Sequence, residues 1–200
     1  MKFFTIVISF VLFFFNTLPV FSQHTEKSLD SHVHGLSELL IAIEKEVLEI
    51  QFVSPAINLV GFEHQAVLSE DINKVKKISN VLKNLNSFFS FSGTNCYEIS
   101  TNIDVSDLID LKKDSEKEKN DHLGENNHKH DHTKPSKKDN HSEIIVNYNL
   151  SCDNTLSLSS IKVNFFDTFH GIDKIKVMWI NQTKQGANTI SPKNRIIEFF

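Results

Sequence analysis

The 200-residue sequence has little of what marks several large protein classes. It contains only two cysteines and one tryptophan, its formal net charge is -4, and no basic patch is interleaved with aromatic residues. Nucleic-acid-binding domains usually concentrate positive charge on one face, so we expect no nucleic-acid partner. With 40% hydrophobic and 23% charged residues, the chain can still bury the core of one or two small domains.

The N-terminal apolar run is too short to cross a membrane. It extends from Phe3 to Phe15, which is 13 residues, whereas a transmembrane helix needs about 20. Lys2 precedes the run, and Val20-Phe21-Ser22 provides residues that signal peptidase tolerates before Gln23. We therefore predict a signal peptide at residues 1–22, export to the periplasm, and a mature protein that is not integral to the membrane. An uncleaved membrane anchor is the alternative.

Cys96 and Cys152 are the only cysteines, and in an exported protein their number is informative. An even count in an oxidising compartment favours one disulfide. It would close a loop with a separation of 152 − 96 = 56 residues. A metal-binding cysteine pair is the alternative. Neither cysteine lies at the predicted cleavage site, so we do not expect a lipoprotein anchor.

Residues 23–111 have the pattern of an N-terminal α+β subdomain. The apolar segment Leu36 to Ile43 and the alternating segment Val47 to Val53 predict two strands, with a hairpin turn at Glu44-Lys45. Tyr97 to Val105 predicts a shorter strand. This half of the chain is therefore expected to contain three strands.

One longer helix is predicted between these strands. Apolar residues recur at steps of three and four from Leu68 to Leu85, which makes a single stripe on a helix. Ser69 is the expected cap, and Glu70 and Asp71 suit the positive end of the helix dipole.

The remaining sequence predicts a disordered insertion and a second, mostly β, subdomain. Residues 112–142 have almost no aromatic or β-branched side chains, so they cannot bury enough surface to offset the entropy of ordering. Residues 143–200 return to alternation, with a tight helical turn at Phe166 to His170 that Gly171 ends. The predicted strands here are Ile144 to Leu150, Ile161 to Phe165, Ile175 to Trp179 and Ile196 to Phe200. The overall prediction is an α+β fold of mainly antiparallel strands.

The two halves share a weak echo in sequence. His34 precedes Glu38 and an apolar strand, and His141 precedes Glu143 and another. Two related subdomains would explain this echo, and so would chance, since a glutamate followed by apolar residues is common.

Four residues in the first half are candidate metal ligands. In an extended segment, the imidazoles of His32 and His34 lie on one side and can share a cation. Zinc usually takes four ligands, and Glu63 with His64 could supply the third and fourth after folding. The alternative is a pair of exposed histidines near the mature N-terminus and a third histidine that caps a helix.

The insertion contains half of the ten histidines of the chain. Histidine-rich flexible tracts bind divalent metals adaptably, without a preformed geometry. A solvated charged linker is the alternative. The candidate ligands in the insertion are His122, His128, His130, His132 and His141.

These motifs together resemble the ZrgA family of periplasmic zinc-uptake proteins. The resemblance rests on "HVHGLSELLIAIE", "LEIQFVSPAINLVGFEHQA", the cysteine positions, the histidine-rich insertion, "EIIVNYNLSC" and "FFDTFHGIDKIKVMWI", and it covers nearly the whole predicted mature chain. It implies an exported, non-enzymatic protein that binds Zn²⁺ and supplies an inner-membrane zinc ABC importer or its binding protein. In the matching motifs, His32, His34, Glu63 and His64 are the primary candidates for metal ligands.

The sequence leaves several alternatives open. His170 replaces a proline that the family pattern usually has in this turn, and it is either an added ligand or a tolerated turn residue. A zinc-dependent hydrolase would need a general base and a second ligand set, but the His-x-His motif continues as Gly35-Leu36-Ser37 without them. An envelope interaction module without specific metal binding is the other alternative. The ligand types alone do not distinguish zinc from copper, nickel or cobalt.

Overall fold

The structure is a computed structural model that describes residues 33–109 and 142–199, all within the unit Ser31–Phe200. Its strands are β1 (Leu36–Glu44), β2 (Val47–Pro55), β3 (Phe89–Ser92), β4 (Cys96–Asp104), β5 (Glu143–Cys152), β6 (Ser160–Val163), β7 (Lys174–Ile180), β8 (Gln185–Ile190) and β9 (Ile196–Glu198). Its α-helices are α1 (Ala56–Val60), α2 (Ser69–Leu82), α3 (Leu85–Phe88) and α4 (Phe165–Thr168), and Thr155–Ser157 forms a 3₁₀ turn. The predicted α+β fold with one longer helix is confirmed.

The first two strands form the predicted hairpin. β1 and β2 pair antiparallel from Glu44 and Val47 at the turn to Glu38 and Val53. The turn lies one residue later than predicted, between the strand ends, and Lys45 takes a positive φ of 54° in it. Such a φ is usual in two-residue hairpins, because it matches the right-handed twist of the flanking strands.

Strands from both halves of the chain share one sheet of six strands, in the order β4-β5-β2-β1-β7-β8. β2 pairs antiparallel with β5, and β1 pairs parallel with β7. The remaining strands form a three-stranded sheet in the order β3-β6-β9. The boundaries of two subdomains, and any duplication behind them, stay predictions.

The core lies between one face of the six-stranded sheet and the layer of short helices and β3-β6-β9. Alternate residues of the central strands are buried, as period-two patterning requires. Phe165 stacks between Phe52 and Phe88, with ring centroids 4.1 and 4.5 Å away. Tyr148 is fully buried and donates a 2.7 Å hydrogen bond to the Leu82 carbonyl, which ties β5 to the end of α2.

Three local predictions need correction. The cap residue of α2 is Leu68, which makes no side-chain cap hydrogen bond, so the predicted role of Ser69 is wrong. Glu70 and Asp71 do lie in the first turn, where the dipole favours them. Phe165 was expected to end a strand but begins α4, because the backbone of Asn164 (φ -117°, ψ 16°) leaves the extended region. The predicted turn Phe166 to His170 is correspondingly shifted: α4 ends at Thr168 with Phe169 as its cap, and Gly171 does not end it.

The predicted disulfide is present: Cys96 is bonded to Cys152 and faces it in the β4–β5 register. The predicted signal peptide 1–22 and most of the predicted insertion 112–142 lie outside the described residues. Only Ser142 of that insertion is described, and it is buried. In the part of the chain that the structure describes, no helix is both long and apolar enough to span a membrane.

Candidate metal centre

His34 lies in a turn immediately before β1. The turn is closed by a 3.0 Å hydrogen bond from the Leu36 amide to the Val33 carbonyl. Gly35 adopts a φ of +82° there, and a Cβ at this position would collide with the Asp173 carboxylate. Thus His34 is not in the extended segment that the His-x-His argument assumed. The turn leaves its side chain 60% exposed.

Glu63 reaches His34 from the segment that follows α1. Gly61 ends α1 in the left-handed region, with its amide bonded to the Ile57 carbonyl at 3.0 Å. The chain then turns so that Glu63 Oε1 lies 3.3 Å from His34 Nε2. The Glu63 side chain is only 17% exposed. The fold therefore brings together two of the predicted ligands from separate parts of the sequence.

His64 points to a different carboxylate. Its Nε2 lies 3.3 Å from Asp71 Oδ2 in the first turn of α2, and its ring packs 4.6 Å from the ring of Phe62. Its side chain is 61% exposed. Sequence reasoning identified Asp71 only as an acid suited to the start of a helix, and missed it as a partner of His64. Its spacing of seven residues from His64 across a loop carries no recognisable ligand motif.

The two pairs have the separation of neighbouring ligands around zinc. Imidazole nitrogen and carboxylate oxygen bind Zn²⁺ at about 2.0–2.2 Å, so two of them at a tetrahedral angle are about 3.3 Å apart. That is the separation in both the His34–Glu63 and the His64–Asp71 pair. It is also slightly beyond the usual 2.7–3.2 Å of an N–H···O hydrogen bond.

Each pair supplies two donors, which is fewer than a zinc ion usually takes. Within residues 33–109 and 142–199, no group of three or more His, Cys, Asp or Glu side chains is placed to hold a metal ion. The described residues therefore provide two pairs of donors with a separation that suits zinc, but no complete tetrahedral set. His32, which was predicted to share a cation with His34, lies outside the described residues.

The end of the predicted insertion is attached next to Glu63. The Ser142 hydroxyl donates to the Glu63 carbonyl at 2.8 Å and to the Asp107 carbonyl at 3.4 Å. The Ser142 carbonyl accepts from the Ala56 amide at 2.8 Å, which holds it against the start of α1. The chain therefore re-enters the described fold beside the segment that carries Glu63. The insertion histidines themselves (His122, His128, His130, His132 and His141) lie outside the described residues.

The interaction described for His170 is with Asp167. It is exposed in the turn after α4, where its charge acts on Asp167. The pKa of Asp167 is lowered mainly by its hydrogen bond from Arg195, whose Nη1 is 2.6 Å from Oδ2.

A groove of about 750 Å³ runs over the outer face of the six-stranded sheet. Its described lining includes Leu40, Met178 and Ile180, with Glu49 as the one carboxylate and no histidine. Because metal binding needs convergent donors, the groove is a poorer candidate for a metal site than the two pairs.

A protein-family model described as "ZrgA family zinc uptake protein" matches residues 31–199. The match includes both donor pairs, both cysteines and the whole histidine-rich insertion. No match was found among the curated proteins.

Proposed function

Because this chain belongs to the ZrgA family of zinc uptake proteins, we propose that it binds Zn²⁺ in the periplasm and supplies it to an inner-membrane zinc uptake system. Zinc is here the cargo of the protein. The observation that carries the proposal for the site is the 3.3 Å approach of His34 Nε2 to Glu63 Oε1. These donors come from segments 29 residues apart in sequence, since 63 − 34 = 29, and both lie in motifs that the family resemblance identified.

The His34–Glu63 pair is the proposed primary site, with His32 as a further ligand. Glu63 is mostly buried while His34 is exposed, so an incoming ion would meet the imidazole first and the carboxylate behind it. The negative charge of the carboxylate attracts a divalent cation. Because the carboxylate is mostly buried, water screens this attraction less than it would at an exposed side chain. His64, with Asp71 beside it, is the proposed second donor pair.

The insertion histidines are proposed to act as a collecting arm. A flexible tract captures zinc adaptably, but ordering the chain lowers its affinity. Tethering it to the folded site raises the local zinc concentration there. The attachment of Ser142 to the Glu63 carbonyl supports this role, because the arm returns to the fold beside a proposed ligand. The proposed arm ligands are His122, His128, His130, His132 and His141.

The partner would be the substrate-binding component or the membrane part of a zinc ABC importer. Transfer to such a partner requires a site that releases zinc as well as binding it. A ligand set with open coordination positions would suit this requirement, because a second protein could bind the ion before the first releases it.

Zinc titration of ligand variants tests the proposed site. The parent is the mature chain lacking residues 121–141, so that the arm does not bind zinc, and a chromophoric chelator competes at pH 7.5, where imidazole is neutral. We expect His34→Ala and Glu63→Gln each to weaken binding at least tenfold, since removal of even outer partners of metal ligands costs about 10–100-fold.

His170→Ala is the comparison variant, because it removes another exposed imidazole. Parent affinity in this variant would make His170 a turn residue, and a loss of affinity would make it an added ligand. If deletion of residues 121–141 alone abolishes all tight binding, or if His34→Ala binds zinc as the parent does, the folded site is not at this pair. Absence of any micromolar zinc binding in the untagged full mature chain would favour an envelope interaction module. Turnover of a model ester by the zinc-loaded chain would favour a hydrolase.

A further inference from the structure

A buried asparagine joins the two segments that carry the proposed His34–Glu63 site. Asn58 is 5% exposed in α1, surrounded in sequence by the apolar residues of Ala56–Val60. A polar side chain buried in this way costs free energy unless its hydrogen bonds are made. Its amide makes them with the turn that presents His34 rather than within its own helix.

The hydrogen bonds of Asn58 hold both sides of Gly35. Oδ1 accepts from the Gly35 amide at 2.9 Å, and Nδ2 donates to the Leu36 carbonyl at 3.2 Å. Nδ2 also lies 3.4 Å from the Ser54 hydroxyl, which is itself 2.8 Å from that of Ser37. One side chain thus satisfies a donor and an acceptor of the backbone that directly follows His34.

The opposite side of the same turn is held by β7. The Gly35 carbonyl accepts from the Asp173 amide at 2.7 Å and from the Lys174 amide at 3.0 Å. With both polar groups of Gly35 bonded, the peptide that follows His34 has little freedom to rotate. Gly35 itself has a positive φ, so its conformation depends on glycine and on these bonds.

The position of Asn58 is fixed in turn by close packing. A Cβ on Gly171 would lie 2.6 Å from the Asn58 carbonyl oxygen, so the chain after α4 touches the backbone of α1. Glu63 follows Asn58 by five residues on the same segment, after the α1 end at Gly61. The asparagine therefore links the residues that directly follow His34 to the segment that leads to Glu63.

We infer that Asn58 is a positioning residue that holds His34 at ligand distance from Glu63, although it does not bind the metal itself. This inference rests on the proposed zinc function. A side-chain amide suits the task, because it offers an acceptor for the Gly35 amide and a donor for the Leu36 carbonyl. An aliphatic residue would remove the side-chain partner of the Gly35 amide and of the Leu36 carbonyl.

The test compares Asn58→Ala with Tyr148→Phe in the full mature chain, with the five insertion histidines replaced by glutamine. Tyr148→Phe also removes one buried side-chain hydrogen bond to a backbone carbonyl, but at the end of α2. Both variants should lower the Tm of the metal-free protein. Only Asn58→Ala should also weaken zinc binding, by about 10–100-fold, and change the visible spectrum of bound Co²⁺, which reports ligand geometry.

Equal zinc affinities and Co²⁺ spectra for Asn58→Ala and the parent, measured well below both Tm values, would overturn the inference. So would an equal loss of zinc affinity in Tyr148→Phe. If Asn58→Ala does not fold, Asn58→Ser is measured instead, since its shorter side chain cannot span both Gly35 and Leu36. His34→Ala in the same background separates the two proposals: if it binds zinc normally, the proposed site fails, whereas if it alone loses zinc, only the role of Asn58 fails.

Discussion

At the scale of single residues, a few polar side chains inside an apolar core have defined partners. Tyr148 donates to the Leu82 carbonyl near the end of α2, where helical carbonyls have no partner within the helix. Asn58 does the same for the turn after His34. Each stabilises one junction between elements rather than one element.

Tyr148 gives a prediction about alkaline pH. Burial raises the pKa of its phenol, so the folded state keeps the proton that the unfolded state loses near pH 10. Its contribution to stability is therefore complete below about pH 10 and decreases as the pH rises above it. Between pH 8 and pH 11, the free energy of unfolding of the wild type should fall by about 1 kcal/mol more than that of Tyr148→Phe.

Urea unfolding of both proteins at the two pH values measures this difference. At pH 8, Tyr148→Phe should be the less stable protein by about 1–2 kcal/mol, because it leaves the Leu82 carbonyl without its donor. Parallel loss of stability in both proteins from pH 8 to pH 11 would show that Tyr148 does not titrate as its burial requires. Lysine side chains lose their protons over the same pH range in both proteins, so their effect on the free energy of unfolding cancels in the comparison.

At the scale of elements, β4 depends on its disulfide. It is an edge strand that pairs only with β5 among the described strands, and a register shift interrupts the pairing between Glu98 and Ser100. Tyr97 and Ile99 are 59% and 63% exposed on it, so side-chain burial contributes little to holding it. The bond between Cys96 and Cys152 is therefore expected to be a main constraint on this strand.

Replacing both cysteines with serine should lower the free energy of unfolding by up to about 4 kcal/mol, given a sequence separation of 56 residues. The substitution should increase the rate of amide hydrogen exchange more in β4 than in β1 and β7, because β1 and β7 have partner strands on both sides. An unfolding free energy within 0.5 kcal/mol of the wild type, as for a typical surface substitution, would mean that β-pairing alone holds the strand. Lys162→Ala in β6 is a suitable exposed control.

Elements differ in how much of them sequence predicts. Alternation identified β2, β5 and β7, because their buried residues recur at every second position, whereas a nearly continuous apolar segment identified β1. β8 was missed because only Ile190 in it is buried, so it forms through pairing with β7 and not through a pattern of its own. Phe165 was assigned to a strand because a buried aromatic residue fits a strand and a helix equally well.

At the scale of the whole molecule, the candidate site depends on contacts that no local pattern encodes. Sequence motifs named His34 and Glu63 separately. Their approach requires the β1–β2 hairpin, the short α1 and the bond from Asn58 to Gly35. The parallel pairing of β1 with β7 joins residues more than 130 positions apart, since 174 − 36 = 138. Such long-range pairing is set by the assembled core, so only the existence of its strands was predictable.

The arrangement of the whole molecule also explains why the polar residue Asn58 is buried in an apolar segment. In sequence it is one asparagine within an apolar segment, and that contrast was the available signal. Only the fold shows that its amide faces the turn beside a proposed ligand. The site therefore combines motif residues, which sequence can identify, with supporting contacts, which it cannot.

Whether the folded pair His34–Glu63 binds zinc is tested by anomalous diffraction from crystals of the zinc-loaded mature chain. Data collected on both sides of the zinc absorption edge identify the element and its ligands together. The proposed site requires a zinc peak at about 2.0–2.2 Å from an imidazole nitrogen of His34 and a carboxylate oxygen of Glu63. Ordered zinc bound elsewhere, with neither side chain among its ligands, would contradict it.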